Sequence, residues 1–176
     1  MIRSLGKTRV LISSFVLMTI MFIIVMFFVN QSIDGGDGSG VLRLQLSFKK
    51  TVGIQIIASW GTSGEKNFLR WIFTDYIYAF TYSFFFASLI SFLIFKKENI
   101  NNSKYRIPVY SAFFAGACDW FENTIEIFFI KDPYGFSSNL FFIHSIVSVI
   151  KWLVILTIIT YIIALLAINK NNPGNS

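Results

Sequence analysis

The chain has 176 residues, the size of one ordinary domain, but 55% of them are hydrophobic, 18% aromatic and only 14% charged. Soluble domains carry about a quarter charged residues, so this composition excludes the ordinary soluble class. The formal charge of +6 does not point to nucleic acid, because most basic residues flank long apolar runs and neither zinc-finger spacing nor a basic helix face is present.

A helical span needs about 20 predominantly apolar residues to cross roughly 30 Å of hydrocarbon. Four segments meet that need: residues 10–29, 71–95, 107–130 and 139–168. The first follows Arg3, Lys7 and Arg9. Its apolar core is too long for a signal peptide, and Val29-Asn30-Gln31-Ser32 is not a cleavage site, so an uncleaved anchor is expected. Residues 30–70 form the one sizeable segment outside the membrane. Within it, the Gly-rich run Asp34–Gly40 predicts a flexible linker and lacks the alternating acids of a calcium loop. Leu42, Leu44, Leu46 and Phe48 then alternate with polar residues, which predicts a half-buried strand. Thr51–Trp60 fits either a short helix or a return strand. The segment reads as a small amphipathic cap over the bundle, or as a lid that gates a site.

The helix of the second span begins before the span itself, because Thr62-Ser63-Gly64-Glu65 reads as a capping box. The third span carries Pro108 in its first turn, where a missing amide hydrogen does no harm. Lys131-Asp132-Pro133-Tyr134-Gly135 is short enough only for a tight antiparallel hairpin into the fourth span. The expected fold is therefore an all-α integral membrane protein: one domain, with four transmembrane helices in a bundle. Arg3, Lys7, Arg9, Lys96, Lys97, Lys104, Arg106 and Lys170 lie on the side of the termini. Arg43, Lys49, Lys50, Lys66, Arg70 and Lys131 lie opposite. Weighted toward the span ends, this bias predicts cytoplasmic termini, an extracytoplasmic 30–70 segment and a bacterial inner (plasma) membrane location.

The third span carries Asp119, Glu122 and Glu126 at i, i+3 and i+7, on one helical face with Asn123 beside them. Ala112, Ala115 and Gly116 continue that face as small residues, which admit a neighbouring helix closely. His144, Ser148 and Lys151 form a matching stripe on the fourth span. Folding the hairpin about Tyr134-Gly135 sets Asp119 level with Lys151, Glu122 with Ser148 and Glu126 with His144. Asp75, Tyr78 and Tyr82 add a stripe from the second span, with Asp75 either part of the cluster or an interfacial cap in contact with water.

A charged side chain at a helix centre costs roughly 2.5–3.5 kcal/mol on insertion scales. Four carboxylates face at most two cations, Lys151 and a protonated His144. The surplus must be protonated, hydrated or bound to an external cation. The candidate binding and proton-handling residues are thus Asp75, Tyr78, Tyr82, Asp119, Glu122, Asn123, Glu126, His144, Ser148 and Lys151.

This pattern predicts a proton- or cation-linked site that binds or transports a small molecule or lipid. Two alternatives stand beside it: a membrane enzyme doing acid/base chemistry on a lipid or isoprenoid, and an accessory subunit with a purely structural ion-pair network. No cofactor is expected. A metal ion held by Asp119, Glu122, Glu126 and His144 is the weaker variant, since one histidine without a Glu-x-x-His pair argues against a di-iron bundle. The lone Cys118 sits among apolar residues that disfavour its thiolate, so it reads as a packing residue. The bilayer is the expected partner, with a protein partner or a second copy also open.

Leu44-Gln45-Leu46-Ser47-Phe48, Trp60-Gly61 and Asp119-Trp120-Phe121-Glu122-Asn123 resemble elements of small bacterial four-span integral membrane proteins of unassigned function. The resemblance spans most of the chain through short motifs. It implies a shared architecture and an acidic motif belonging to the family, and it implies no activity.

Overall fold

The computed structural model describes residues 2–29, 39–95 and 106–171, and these are helical nearly throughout. The elements in chain order are α1 (Ile2–Leu5), α2 (Thr8–Val29), α3 (Ser39–Leu46), α4 (Lys50–Phe95), α5 (Arg106–Lys131) and α6 (Ser138–Asn171). By length and composition α2, α4 and α6 are able to cross a membrane. They support the reading of a membrane protein. The fourth expected span corresponds to α5, which is long enough but carries Asp119, Glu122 and Glu126 in its middle.

The strand expected over Leu42–Phe48 is not formed. Residues 39–46 are α3, whose inward face is Val41, Leu44 and Gln45. Helical spacing, not period two, decides what is buried here. The physical reason is backbone satisfaction: a lone strand leaves both edges unpaired, whereas a helix closes its own hydrogen bonds in apolar surroundings. Residues 50–60 are likewise helical, which settles the choice left open for that stretch. Of the expected Gly-rich linker, Asp34–Gly38 lie outside the described residues, as do Lys96, Lys97 and Lys104, while Ser39 and Gly40 open α3.

α4 is interrupted at Gly61, whose φ of 62° and ψ of 179° are not helical. Only glycine adopts this region freely. The break lies immediately before Thr62-Ser63-Gly64-Glu65, the stretch read as a helix start, and it divides a cap helix from the long membrane-depth helix. The connection from α3 into α4 turns at Phe48, with φ 56°. Its amide donates to Ser145 Oγ at 3.3 Å, and its ring meets Phe142 edge-on. Between α5 and α6, Gly135 N donates to Asp132 Oδ1 at 2.9 Å, and Ser137 Oγ caps α6 by accepting from Leu140 N at 3.1 Å. Lys50 Nζ donates to the Tyr134 carbonyl at 2.8 Å, tying the cap helix to this hairpin.

The α4–α5 seam is close because Gly116 has no Cβ. One built there would overlap Ser83 Oγ and crowd the Ala79 carbonyl. Two apolar layers fill the bundle. At the hairpin end, Ile57, Trp60, Phe68, Trp71, Ile72, Ile125, Phe129, Phe136 and Phe141 pack together. At the other end, Ala87, Ile90, Leu93, Ile94, Val109, Ala112, Ile158 and Ile162 do the same. The residues between them in sequence, 75–82 on α4, 119–126 on α5 and 144–151 on α6, form a polar layer with apolar packing on both sides.

Gly61→Ala is expected to destabilise the protein by about 1–3 kcal/mol through backbone strain. A Cβ at that position meets no atom within 4 Å, so steric crowding does not add to the cost. Thermal unfolding in detergent checks this, with a lowered midpoint and unchanged helix content as the expected result.

Candidate functional site

Four carboxylates are buried in the polar layer: Asp75 at 6% exposed, Asp119 at 6%, and Glu122 and Glu126 at 0%. Burying ionised groups demands partners, and the helices supply them unequally. Lys151 Nζ of α6 lies 2.8 Å from Asp119 Oδ1 and 2.9 Å from Glu122 Oε2. The first contact has hydrogen-bond geometry. The second is an ion pair. Asp119 Oδ2 accepts the Tyr82 hydroxyl of α4 at 2.9 Å. Asp119 is therefore held from two helices at once.

Glu126 Oε1 lies 3.1 Å from His144 Nε2. The His144 ring is enclosed edge-on by Phe129 and tilted against Phe141, which orient it toward α5. Asp75 Oδ2 accepts from Asn123 Nδ2 at 2.9 Å. Its burial removes the reading of Asp75 as a water-facing cap. It belongs to the cluster, joined to α5 through Asn123. Tyr78 is half-buried and stacks edge-on with Tyr82, at the rim rather than on a carboxylate.

The contacts Lys151–Asp119 and His144–Glu126 join the residues that the folded hairpin sets level, which makes α5 and α6 antiparallel neighbours. Glu122 departs from that register. It meets Lys151, not Ser148, whose hydroxyl instead donates to the His144 carbonyl one turn back at 3.0 Å. A serine in a helix reaches its own i−4 carbonyl more readily than a neighbouring helix, whereas the long lysine stem spans the extra turn.

Gln45 of α3 is the residue that sequence reasoning left out. It is 3% exposed. Its side chain comes to the Glu126 carboxyl from the cap, and its Oε1 faces Trp152 Nε1 at a long 3.4 Å. The signal was its place at i+4 from Val41, which only a helical reading of residues 39–46 makes inward.

The layer is not balanced. Glu122 Oε1, Glu126 Oε2, Asn123 Oδ1 and His144 Nδ1 are buried without a hydrogen-bond partner. One donor atom from each of Glu122, Glu126 and His144 lies within 4.8 Å of the others. Asp119, fourth in the expected metal set, is not in this group and is occupied by Lys151 and Tyr82. No protein family, curated protein or solved structure matches the chain.

Lys151→Met is expected to cost about 3–5 kcal/mol, because it leaves two buried carboxylates uncompensated. Lys151→Met combined with Asp119→Leu and Glu122→Gln is expected to recover most of that loss. Unfolding midpoints of the purified variants decide it, and a combined variant no better than Lys151→Met would show that the three residues are not energetically coupled.

Proposed function

We propose that the chain is a four-span integral membrane protein whose buried carboxylate layer is a proton- or cation-linked site for binding or transporting a small molecule or lipid. In this reading α5 is the remaining span. At about 1.5 Å per residue its 26 residues reach about 39 Å, enough to cross. Its acids are turned inward, while Ile107, Tyr110, Phe114, Trp120, Phe121 and Phe128 remain exposed on its outer surface. That is the surface a lipid-facing helix presents. The basic residues near the termini and between the second and third spans favour cytoplasmic termini, an extracytoplasmic cap and an inner-membrane location.

The observation that carries the functional reading is the surplus of acid. Among the described residues one lysine serves Asp119 and Glu122, while Glu126 has an imidazole and the neutral Gln45 side chain, and Asp75 only the Asn123 amide. A network built solely to hold helices together gains nothing from buried oxygens with no partner, each of which opposes folding. A site that takes up protons or cations needs them. Intramembrane ionisable residues commonly mark substrate or ion pathways and proton relays.

α3 supports a gating role for the cap. It packs against α4 and α6, and Gln45 extends from it to the layer. Its removal is expected to change access to the site and not the assembly of the polar layer.

The test is proton or cation flux in proteoliposomes reconstituted with the full chain. Glu122→Gln and Asp119→Asn are expected to reduce flux at least about tenfold, which corresponds to about 1.4 kcal/mol, with helix content and elution unchanged. Aggregation of both variants would make the network structural and overturn the reading. Flux that survives both substitutions would also overturn it, by separating transport from the cluster.

A further inference from the structure

The unpaired half of the polar layer has the donor chemistry of a metal site. Glu122 and Glu126 stand one turn apart on α5, and His144 faces them from α6. All three are fully buried, and one donor atom from each lies within 4.8 Å of the other two. His144 Nε2 and Glu126 Oε1 are 3.1 Å apart. Two ligands bound tetrahedrally at about 2.0–2.1 Å are separated by about 3.3–3.4 Å, so this hydrogen-bonded pair needs to open only slightly to flank an ion. The third donor, from Glu122, lies within 4.8 Å of both.

A second observation is independent of the clustering. Glu122 Oε1 and Glu126 Oε2 have no hydrogen-bond partner and no access to solvent, although a buried carboxylate oxygen is among the most costly groups to leave unpaired. Lys151 does not relieve this, since it lies against Asp119 and the other oxygen of Glu122. Counting His144 as neutral, Asp75, Asp119, Glu122 and Glu126 against Lys151 leave three negative charges when all are ionised. A divalent ion removes two of them at the place where the unpartnered oxygens lie.

We infer that Glu122, Glu126 and His144 bind a divalent first-row transition-metal ion. The inference rests on the reading of the layer as a cation site and names the cation. The imidazole decides the class: magnesium and calcium prefer all-oxygen shells, whereas a nitrogen donor with two carboxylates suits zinc, manganese or iron(II). Three protein donors leave a coordination position open, as in sites that exchange a ligand and unlike closed structural sites. Gln45 of α3 lies beside Glu126.

The experiment uses the tag-free full chain in nanodiscs, stripped with a chelator and titrated with Co2+, Zn2+ and Mg2+. Co2+ is expected to bind at one equivalent per chain with visible absorption bands of four- or five-coordination, and to be displaced by Zn2+ but not by Mg2+. Glu126→Gln, which keeps the side-chain shape, and His144→Ala are each expected to weaken Co2+ at least tenfold. Glu65→Gln, a carboxylate of the cap end outside the layer, is expected to leave it unchanged. No cobalt spectrum, six-coordinate bands only, or equal affinity in Glu126→Gln and His144→Ala would overturn the inference. Failure here is distinct from failure of the proposed function: proton flux that depends on Glu122, in protein that binds no Co2+, sustains the carboxylate site and rejects the metal. Metal binding that depends on the cluster, without flux, does the opposite.

Discussion

The rest of the structure depends on one contact, the Lys151 ammonium between Asp119 and Glu122. An ammonium at this depth is tolerable only if it is paired and kept from lipid, and that requirement fixes how α5 and α6 rotate about their axes. Once they are turned so, their exposed surfaces carry Phe114, Phe121, Phe128, Leu153 and Leu156, residues suited to hydrocarbon. Tyr82 brings α4 to the same carboxylate, and Gly116 lets α4 approach closely enough for the hydroxyl to reach. Three helices are thus registered by one buried acid and its two donors.

The layer has two halves with different chemistry. Around Asp119 both oxygens are engaged, by a lysine and a tyrosine, and the arrangement is closed. Around Glu122, Glu126 and His144, two carboxylate oxygens and one ring nitrogen remain without partners. Lys151 reaches into both halves through Glu122, so the compensated and the unpartnered oxygens lie about one helical turn apart along α5. The apolar packing at either end, Phe129 with Phe136 and Phe141 on one side and Ile90 with Ile158 on the other, keeps the layer in low-dielectric surroundings where each of these interactions is strengthened.

The short helix α3 packs against α4 and α6 beside this interior. It is held to α6 by the Phe48–Ser145 hydrogen bond and the Phe48–Phe142 ring contact, with Phe48 in the left-handed region. A bulky residue with positive φ persists only where its surroundings hold it. Gln45 lies one turn before this strained junction of α3 and α4.

What the sequence determined by itself was the class of environment and the existence of the polar stripes. Long apolar runs admit only helices, because hydrocarbon offers no partner for a free amide, and acids at i, i+3 and i+7 share a face whatever surrounds them. The Lys151–Asp119 and His144–Glu126 contacts followed from the shortness of the hairpin, which leaves little freedom of register. Tertiary structure alone decided the remainder. Leu42, Leu44 and Leu46 alternate perfectly, yet α3 is a helix, because period two in eight residues cannot outweigh two unpaired strand edges. Asp75 sat at a depth compatible with either water or the cluster, and only the packing of α4 on α5, through Asn123, buried it. Glu122 turned to Lys151 and Ser148 to its own helix because side-chain reach, which spacing does not encode, selects the partner. The surplus of acid was legible in the sequence, but not which oxygens stay open: an unpartnered oxygen is defined by what fails to reach it, and that depends on every neighbouring helix at once.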